Sequence, residues 1–265
     1  MLKFKKTLGQ NFLIDKNIIN KIVNLEPLLN QAVFEIGPGS GNLTNFINKK
    51  EPKSLFLIEK DERFFKVLRK KYNDKKKYKL LNTDILKYDL NNYKDKEVIV
   101  FGNLPYNIST QILAKFIKMK SWPPFYKKII FMFQKEVANR ILSKSNFSNF
   151  GRITILTNFK LDIVEHFDIS KKCFFPEPKV DSKIIVFKPK EKIKFRISNI
   201  ENLEKITQAF FSNRRKMINK VFSKIFKNPL EVSKKLQLDL RSRPSELSSE
   251  TYYKITELYE KYQEN

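Results

Sequence analysis

The sequence predicts an α/β protein built around a parallel sheet. Three observations carry that prediction. Short runs rich in β-branched and aromatic residues alternate with helical patterns at a regular pace, which is the signature of βαβ units. Of only six glycines, three (Gly37, Gly39 and Gly41) crowd one junction between such a run and a helix. Polar side chains at Glu59, Asp84 and Asn103 each follow the end of a strand-like run, where ligands of parallel sheets gather.

The elements are read in order. Residues 1–14 form a basic arm. Asp15 caps a helix through Asn24, with Ile18, Ile19, Ile22 and Val23 on one face. Residues 32–36 are a strand ending at the glycines, followed by a helix over 42–48. A second strand, 54–58, ends at Glu59, and Asp61 caps a helix to about Lys71. Residues 78–81 form a third strand and 97–101 a fourth, running into Gly102-Asn103-Leu104-Pro105-Tyr106. Ser109 caps a helix to about Lys118, and 128–133 form a fifth strand. After Pro189 the pattern becomes helical throughout, near 200–211, 215–226, 231–236 and 248–262, punctuated by Pro229 and Pro244. The expected organisation is therefore two domains: 1–190 with its basic arm, and a small helical domain over 191–265. No internal repeat or low-complexity linker interrupts them.

Composition narrows the function. The 265 residues are 41% hydrophobic and include 24 Phe, enough for a sizeable core. The longest apolar runs, such as 129–133, are far too short to span a bilayer, and no apolar stretch follows the basic N-terminus as in a signal peptide. One cysteine, Cys173, and one histidine, His166, exclude an internal disulfide and a zinc site of several Cys and His; no metal is expected. A cytoplasmic protein follows. The net charge of +25 favours a polyanionic partner, most simply nucleic acid, although a chain this rich in Lys, Asn and Ile also carries the mark of biased nucleotide composition.

The segment Glu35-Ile36-Gly37-Pro38-Gly39-Ser40-Gly41 lets backbone approach a ligand closely. Its glycines fall at positions one, three and five, whereas a dinucleotide fingerprint needs one, three and six. The loop suits a ligand ending in an amino-acid tail. Glu59 can accept from both hydroxyls of a ribose, and Asp84 from an adenine amino group. Loop and acids in this order fit S-adenosylmethionine; each acid taken alone reads equally as a solvated strand end.

Asn103-Leu104-Pro105-Tyr106 suits methylation of an exocyclic amine. The lone pair of adenine N6 is delocalised into the ring, so the nitrogen is a poor nucleophile. The Asn103 side-chain carbonyl and the Leu104 or Pro105 backbone carbonyl can accept its two hydrogens and draw it toward tetrahedral geometry. Pro105 stiffens the turn, and Tyr106 can stack on an extruded base. Taken alone, four such residues are also an ordinary β-turn.

Six ordered segments resemble the ribosomal RNA adenine N6,N6-dimethyltransferase family: Leu8-Gly9-Gln10-Asn11-Phe12-Leu13, residues 34–41, residues 101–109, Gln134-Lys135-Glu136-Val137, residues 174–182 from Phe174 to Ser182, and Asn213-Arg214-Arg215-Lys216. The resemblance spans the chain. It implies a class I S-adenosylmethionine-dependent methyltransferase, Rossmann-like, with a seven-stranded sheet whose antiparallel edge includes residues 182–187, and a helical domain that helps hold rRNA. It implies that Asn11 and Leu13 close over the cofactor, with Gly37 at its methionine end, Glu59 on ribose, Asp84 on the adenine amino group and Asn103 touching both cofactor and target. Tyr106 and Phe174 would sandwich the target adenine. The implied substrate is two adjacent adenosines in the 3′-terminal stem-loop of small-subunit rRNA, each methylated twice by a monomer acting on pre-30S particles. A large-subunit rRNA methyltransferase and a non-catalytic assembly factor remain alternatives. Asn213–Lys216, Arg69–Lys77 and Arg241–Pro244 are each readable as phosphate contacts or as solvated turns, and His166 as a surface side chain.

Overall fold

The computed structural model describes residues 11–263. In chain order the elements are β1 (Phe12–Leu13), α1 (Lys16–Val23), β2 (Ala32–Ile36), α2 (Asn42–Asn48), β3 (Ser54–Glu59), α3 (Glu62–Lys71), β4 (Tyr78–Asn82), β5 (Val98–Asn103) and α4 (Ser109–Ile117). Then follow β6 (Tyr126–Gln134), α5 (Lys135–Ile141), α6 (Arg152–Lys160), β7 (Leu161–Ile169), β8 (Phe174–Phe175), β9 (Ser182–Pro189), α7 (Ile200–Phe211), α8 (Asn219–Ile225), α9 (Pro229–Leu236) and α10 (Ser249–Gln263). The described chain divides into two compact units. One runs to Ala138 and adds Asp162–Pro189; the other joins Asn139–Leu161 to the residues from Lys190 onward.

The first unit is a seven-stranded sheet in the order β4-β3-β2-β5-β6-β9-β7. The pairs from β4 through β6 are parallel, and β9 runs antiparallel to β6 with Gln134 opposite Ser182. Alternation along each strand builds two cores. Val33, Leu57, Phe101, Met132 and Val186 pack under Ile19, Ile22 and Val23 of α1 and Leu43 and Ile47 of α2. The opposite face is aromatic. Phe34 lies 4.8 Å from Phe56 and stacks on Tyr93 at 5.4 Å between centroids, and Phe116 meets Phe131 edge-on at 5.6 Å. Such ring pairs contribute about 0.5–1.5 kcal/mol beyond the burial of their surface.

Asp15 and Asp61 cap α1 and α3 as the sequence predicts, accepting from Asn17, Ile18 and Arg63 N–H groups. Ser109 does not cap α4. Ile108 holds that position, and the Ser109 hydroxyl donates to the Tyr106 carbonyl at 3.2 Å, bracing the preceding turn instead. The predicted helix over 215–226 begins only at Asn219. Two further elements escaped the pattern for physical reasons. β7 is an edge strand with mostly exposed side chains, so no apolar run marks it. α6 is buried nearly all round and so shows no amphipathic stripe.

The second unit packs Phe150, Ile155 and Phe159 against Leu203, Ile206 and Phe210 of α7 and Tyr252, Tyr253 and Ile255 of α10. Residues 139–161, read from the sequence with the sheet, thus pack among these helices. The Glu260 carboxylate accepts from the Ser198 and Asn199 N–H groups, the Ser198 hydroxyl and the Asn202 amide at 2.7–3.0 Å, tying the segment before α7 to α10.

Phe34 is wholly buried at the centre of the aromatic face. Phe34→Ala is expected to lower stability by about 3–5 kcal/mol in urea denaturation; a loss under about 1 kcal/mol would show that this face is not a close-packed core.

Candidate active site

The carboxyl ends of β2, β3, β4 and β5 converge on a cavity of about 350 Å³. Every site residue singled out from the sequence lines it except Phe174: Asn11, Leu13, Gly37, Glu59 and Asp84, together with Asn103, Leu104, Pro105 and Tyr106.

The glycine loop shapes one wall. Gly37, Gly39 and Gly41 all have positive φ, at 65°, 54° and 80°. A Cβ on Gly39 would fall 2.5 Å from the Phe12 ring, so the ring can lie on the loop only because residue 39 is glycine. Phe12 is held in turn against Phe64 of α3, 5.3 Å between centroids. Apart from Gly37 and its chain neighbours, no heavy atom of the described residues lies within 4 Å of the Gly37 Cβ position, so this wall stands clear for a ligand.

Four carboxyl groups line the cavity, and Glu59, Asp84 and Glu35 are held in different states. Glu59 accepts from the Gly39 N–H at 2.9 Å and the Asp61 N–H at 2.7 Å, one on each oxygen, so its plane is fixed while each oxygen keeps a lone pair. Burial raises its pKa and these two bonds oppose the rise. Asp84 accepts from the Leu86 N–H at 2.9 Å and the Lys60 ammonium at 2.8 Å. Burial alone would raise its pKa, but Lys60 and the Leu86 N–H outweigh it and hold the group below the ordinary value, hence ionised. Glu35, 2% exposed, has a buried Oε2 with no hydrogen-bond partner among the described residues. Burial pushes its pKa up to about 8, against the Thr44 hydroxyl beside it. Glu35 was visible in the sequence as the first residue of the glycine segment. The alternation of β2 puts it on the same face as Val33, and that signal could have marked it as an inward-facing acid.

The opposite wall follows β5. The Asn103 amide nitrogen donates to the Asn11 carbonyl at 3.0 Å. A backbone carbonyl only accepts, so this bond fixes which way the amide points and leaves its oxygen as the free acceptor. The Pro105 carbonyl already accepts from the Ile108 N–H at 3.2 Å, which favours the Leu104 carbonyl as a second acceptor. Tyr106 shares a hydrogen bond of 2.7 Å with the Ser182 hydroxyl, and burial holds its phenol above the usual pKa; it is a neutral ring, not a base.

Phe174 is not brought to the cavity. It is 3% exposed, pairs with Leu13 in the β1–β8 ladder and belongs to the core. The resemblance places a stacking ring there, and the strand alternation turns that ring inward. The segment Leu8-Gly9-Gln10 lies outside the described residues.

The sign of the Glu35 effect on stability is fixed by its raised pKa. Below about pH 4.5 the group is protonated in folded and unfolded chains alike. Between there and about pH 8 only the unfolded chain ionises, so stability falls as pH rises and then levels off. Ligand-free Glu35→Gln is therefore expected to match the parent near pH 4 and exceed it by a few kcal/mol, to order of magnitude, at pH 8. Equal stability at both pH values, read by denaturant midpoints, would contradict a protonated Glu35.

Comparison with known proteins bears directly on this site. The chain is 46% identical over 259 residues to the ribosomal RNA small subunit methyltransferase A of Pelagibacter ubique (strain HTCC1062), covering 98% of each chain. It is 36% identical over 251 residues to the protein of that name from Mycoplasma mobile, covering 94% of this chain and 95% of the other. A dimethyladenosine transferase from Plasmodium falciparum shares the fold with a TM-score of 0.78 at 24% identity, over 95% of this chain and 98% of that one. The 23S rRNA methyltransferase ErmE does so with a TM-score of 0.67 at 21% identity, over 94% and 99%. The architecture is thus the class I methyltransferase fold with a C-terminal helical part. Residues 1–261 match the family described as Ribosomal RNA adenine dimethylase, and the chain belongs to that family.

Proposed function

We propose that this protein methylates N6 of two adjacent adenosines in the 3′-terminal stem-loop of small-subunit rRNA, giving N6,N6-dimethyladenosine, and that it acts as a monomer on pre-30S particles in the cytoplasm. The small-subunit designation of its relatives supports this choice over a large-subunit substrate. No helix among the described residues is long and apolar enough to cross a membrane.

S-adenosylmethionine supplies an electrophilic methyl carbon on a sulfonium. The residues fit it: the clear wall at Gly37 receives the methionine end, Glu59 takes the ribose hydroxyls on its remaining lone pairs, and Asp84 takes the adenine amino group. Asn11 and Leu13 close over it, with the Leu13 carbonyl held by the Asn42 amide at 2.9 Å.

The observation that carries the mechanism is the Asn103–Asn11 hydrogen bond. It aims the Asn103 oxygen at an incoming amine, and the Leu104 carbonyl takes the second N–H. Together they localise the N6 lone pair for in-line attack. Tyr106 forms one wall for the flipped base, worth about 1–3 kcal/mol of stacking. Phe174 supports Leu13 from the core. No strong base is required, because N6 becomes acidic once methylated. Alignment and exclusion of water supply the catalysis.

The second unit offers a surface for RNA. Three distant segments are joined there by the Asn146 N–H on the Ser245 carbonyl at 2.8 Å, the Ile218 N–H on the Ser242 carbonyl at 2.9 Å, and the Arg214 guanidinium on the Ser148 carbonyl. They bring together Lys144, Arg214, Arg215, Lys216, Arg241 and Arg243, with Phe147 64% and Met217 52% exposed among them. Cations interleaved with apolar side chains suit a folded RNA better than a solvated turn.

Purified protein is expected to methylate 30S precursors and not 50S ones; methylation of 50S alone would overturn the proposal. Asn103→Ala is expected to abolish methyl transfer while leaving cofactor and RNA binding largely intact, and a fully active variant would contradict the mechanism. Arg215→Ala with Lys216→Ala is expected to weaken RNA binding and to lower the log–log salt slope by about 0.7–0.9 for each phosphate left without its cation. An unchanged slope would remove this surface from RNA binding.

A further inference from the structure

Tyr106, on the cavity wall, is held at both ends. Its backbone is braced by the Ser109 hydroxyl, which donates to the Tyr106 carbonyl at 3.2 Å. The tip of its side chain is held by the 2.7 Å hydrogen bond between the phenol and the Ser182 hydroxyl. Ser182 is wholly buried and is not among the residues that line the cavity. It is also a fixed point. As the first residue of β9 it stands opposite Gln134 in the ladder with β6. Asp181, just before it, is fastened twice. Its carbonyl accepts from the Lys135 N–H and its carboxylate from the Lys171 N–H, each at 3.0 Å. The Tyr106 side chain is thus strung between the turn after β5 and the start of β9, 76 residues away in sequence.

The phenol oxygen lies on the long axis of the ring. A tether there fixes where that axis points and so stops the side chain from swinging between rotamers. It also occupies the hydroxyl, so the ring meets a ligand with its face. We propose that Ser182 is a positioning residue for methyl transfer: its hydrogen bond aims the Tyr106 ring, so that the wall for the target base is set before the base arrives. This rests on the function proposed above, in which Tyr106 stacks on the flipped adenine, and adds to it the residue that orients the stack. A base lying on a swinging ring would carry N6 off the line of attack for part of the time. A tethered ring is ordered on folding, and the base then binds in the aligned position. Ser182 itself touches neither donor nor target.

The test is a double-mutant cycle on activity, with 30S precursor as substrate. Ser182→Ala is expected to lower kcat/KM about tenfold, with affinity for S-adenosylmethionine unchanged. Tyr106→Phe keeps the ring, removes the tether and leaves β9 untouched; it is expected to cost a similar factor. The two together are expected to cost no more than either alone, because Ser182 acts only through the phenol. A second readout follows the base. With 2-aminopurine in place of the target adenosine, stacking on Tyr106 quenches its fluorescence, and each variant is expected to leave the bound base at least twofold brighter than the parent does. Losses that multiply to about a hundredfold, full activity in either single variant, or equal quenching in parent and variants would overturn the inference while leaving the function standing. A parent protein inactive on the particles would overturn both.

Discussion

The hydrogen bond from the Asn103 amide to the Asn11 carbonyl joins residues 92 apart in sequence and fixes the chemistry of the cavity. An asparagine at a strand end can present either its oxygen or its nitrogen to a ligand. A partner that can only accept holds the nitrogen and leaves the oxygen for the ligand, and a backbone carbonyl is such a partner. The arm that supplies it is itself held three ways. β1 pairs with β8, the Leu13 carbonyl accepts from Asn42 at the start of α2, and Phe12 lies across Gly39 and against Phe64. The arm, the glycine loop and the β5 turn are therefore one mechanical unit. A change to the arm is felt at Asn103 without touching substrate.

The electrostatics are arranged in two layers. The chain carries +25 overall, which draws a polyanion from a distance, and in the second unit cations and exposed apolar side chains occupy one surface. The cavity instead collects carboxyl groups, suited to a cationic donor. They are not equivalent. Asp84 is held ionised by Lys60, Glu59 is held in place by two backbone N–H groups, and Glu35 is kept neutral by burial. Charged acids lining one cavity repel one another, and one buried neutral member relieves that.

Much of this was legible in the sequence because the sheet is parallel and buried. Strands such as 32–36 and 54–59 read as continuous apolar runs, and the residues that follow them arrive at one rim by topology alone. What was not legible depended on partners far away in sequence. The inward turn of Phe174 and outward turn of Phe175 follow from pairing with β1, which no local pattern encodes in a two-residue strand. β7 has no apolar run because it is an edge, and α6 has no stripe because it is buried on all sides. The convergence of Lys144 with Arg214 and Arg241 is likewise a product of loop packing, visible only once Ser148 and Ser242 are placed.

The most direct test is a crystal structure of the protein with an inert analogue of S-adenosylmethionine and an adenosine-bearing RNA. The account predicts the target N6 within hydrogen-bond distance, about 2.7–3.2 Å, of the Asn103 oxygen, with the Asn103 nitrogen still on the Asn11 carbonyl. An N6 held by other groups, or an Asn103 amide released from Asn11 and turned over, would contradict it.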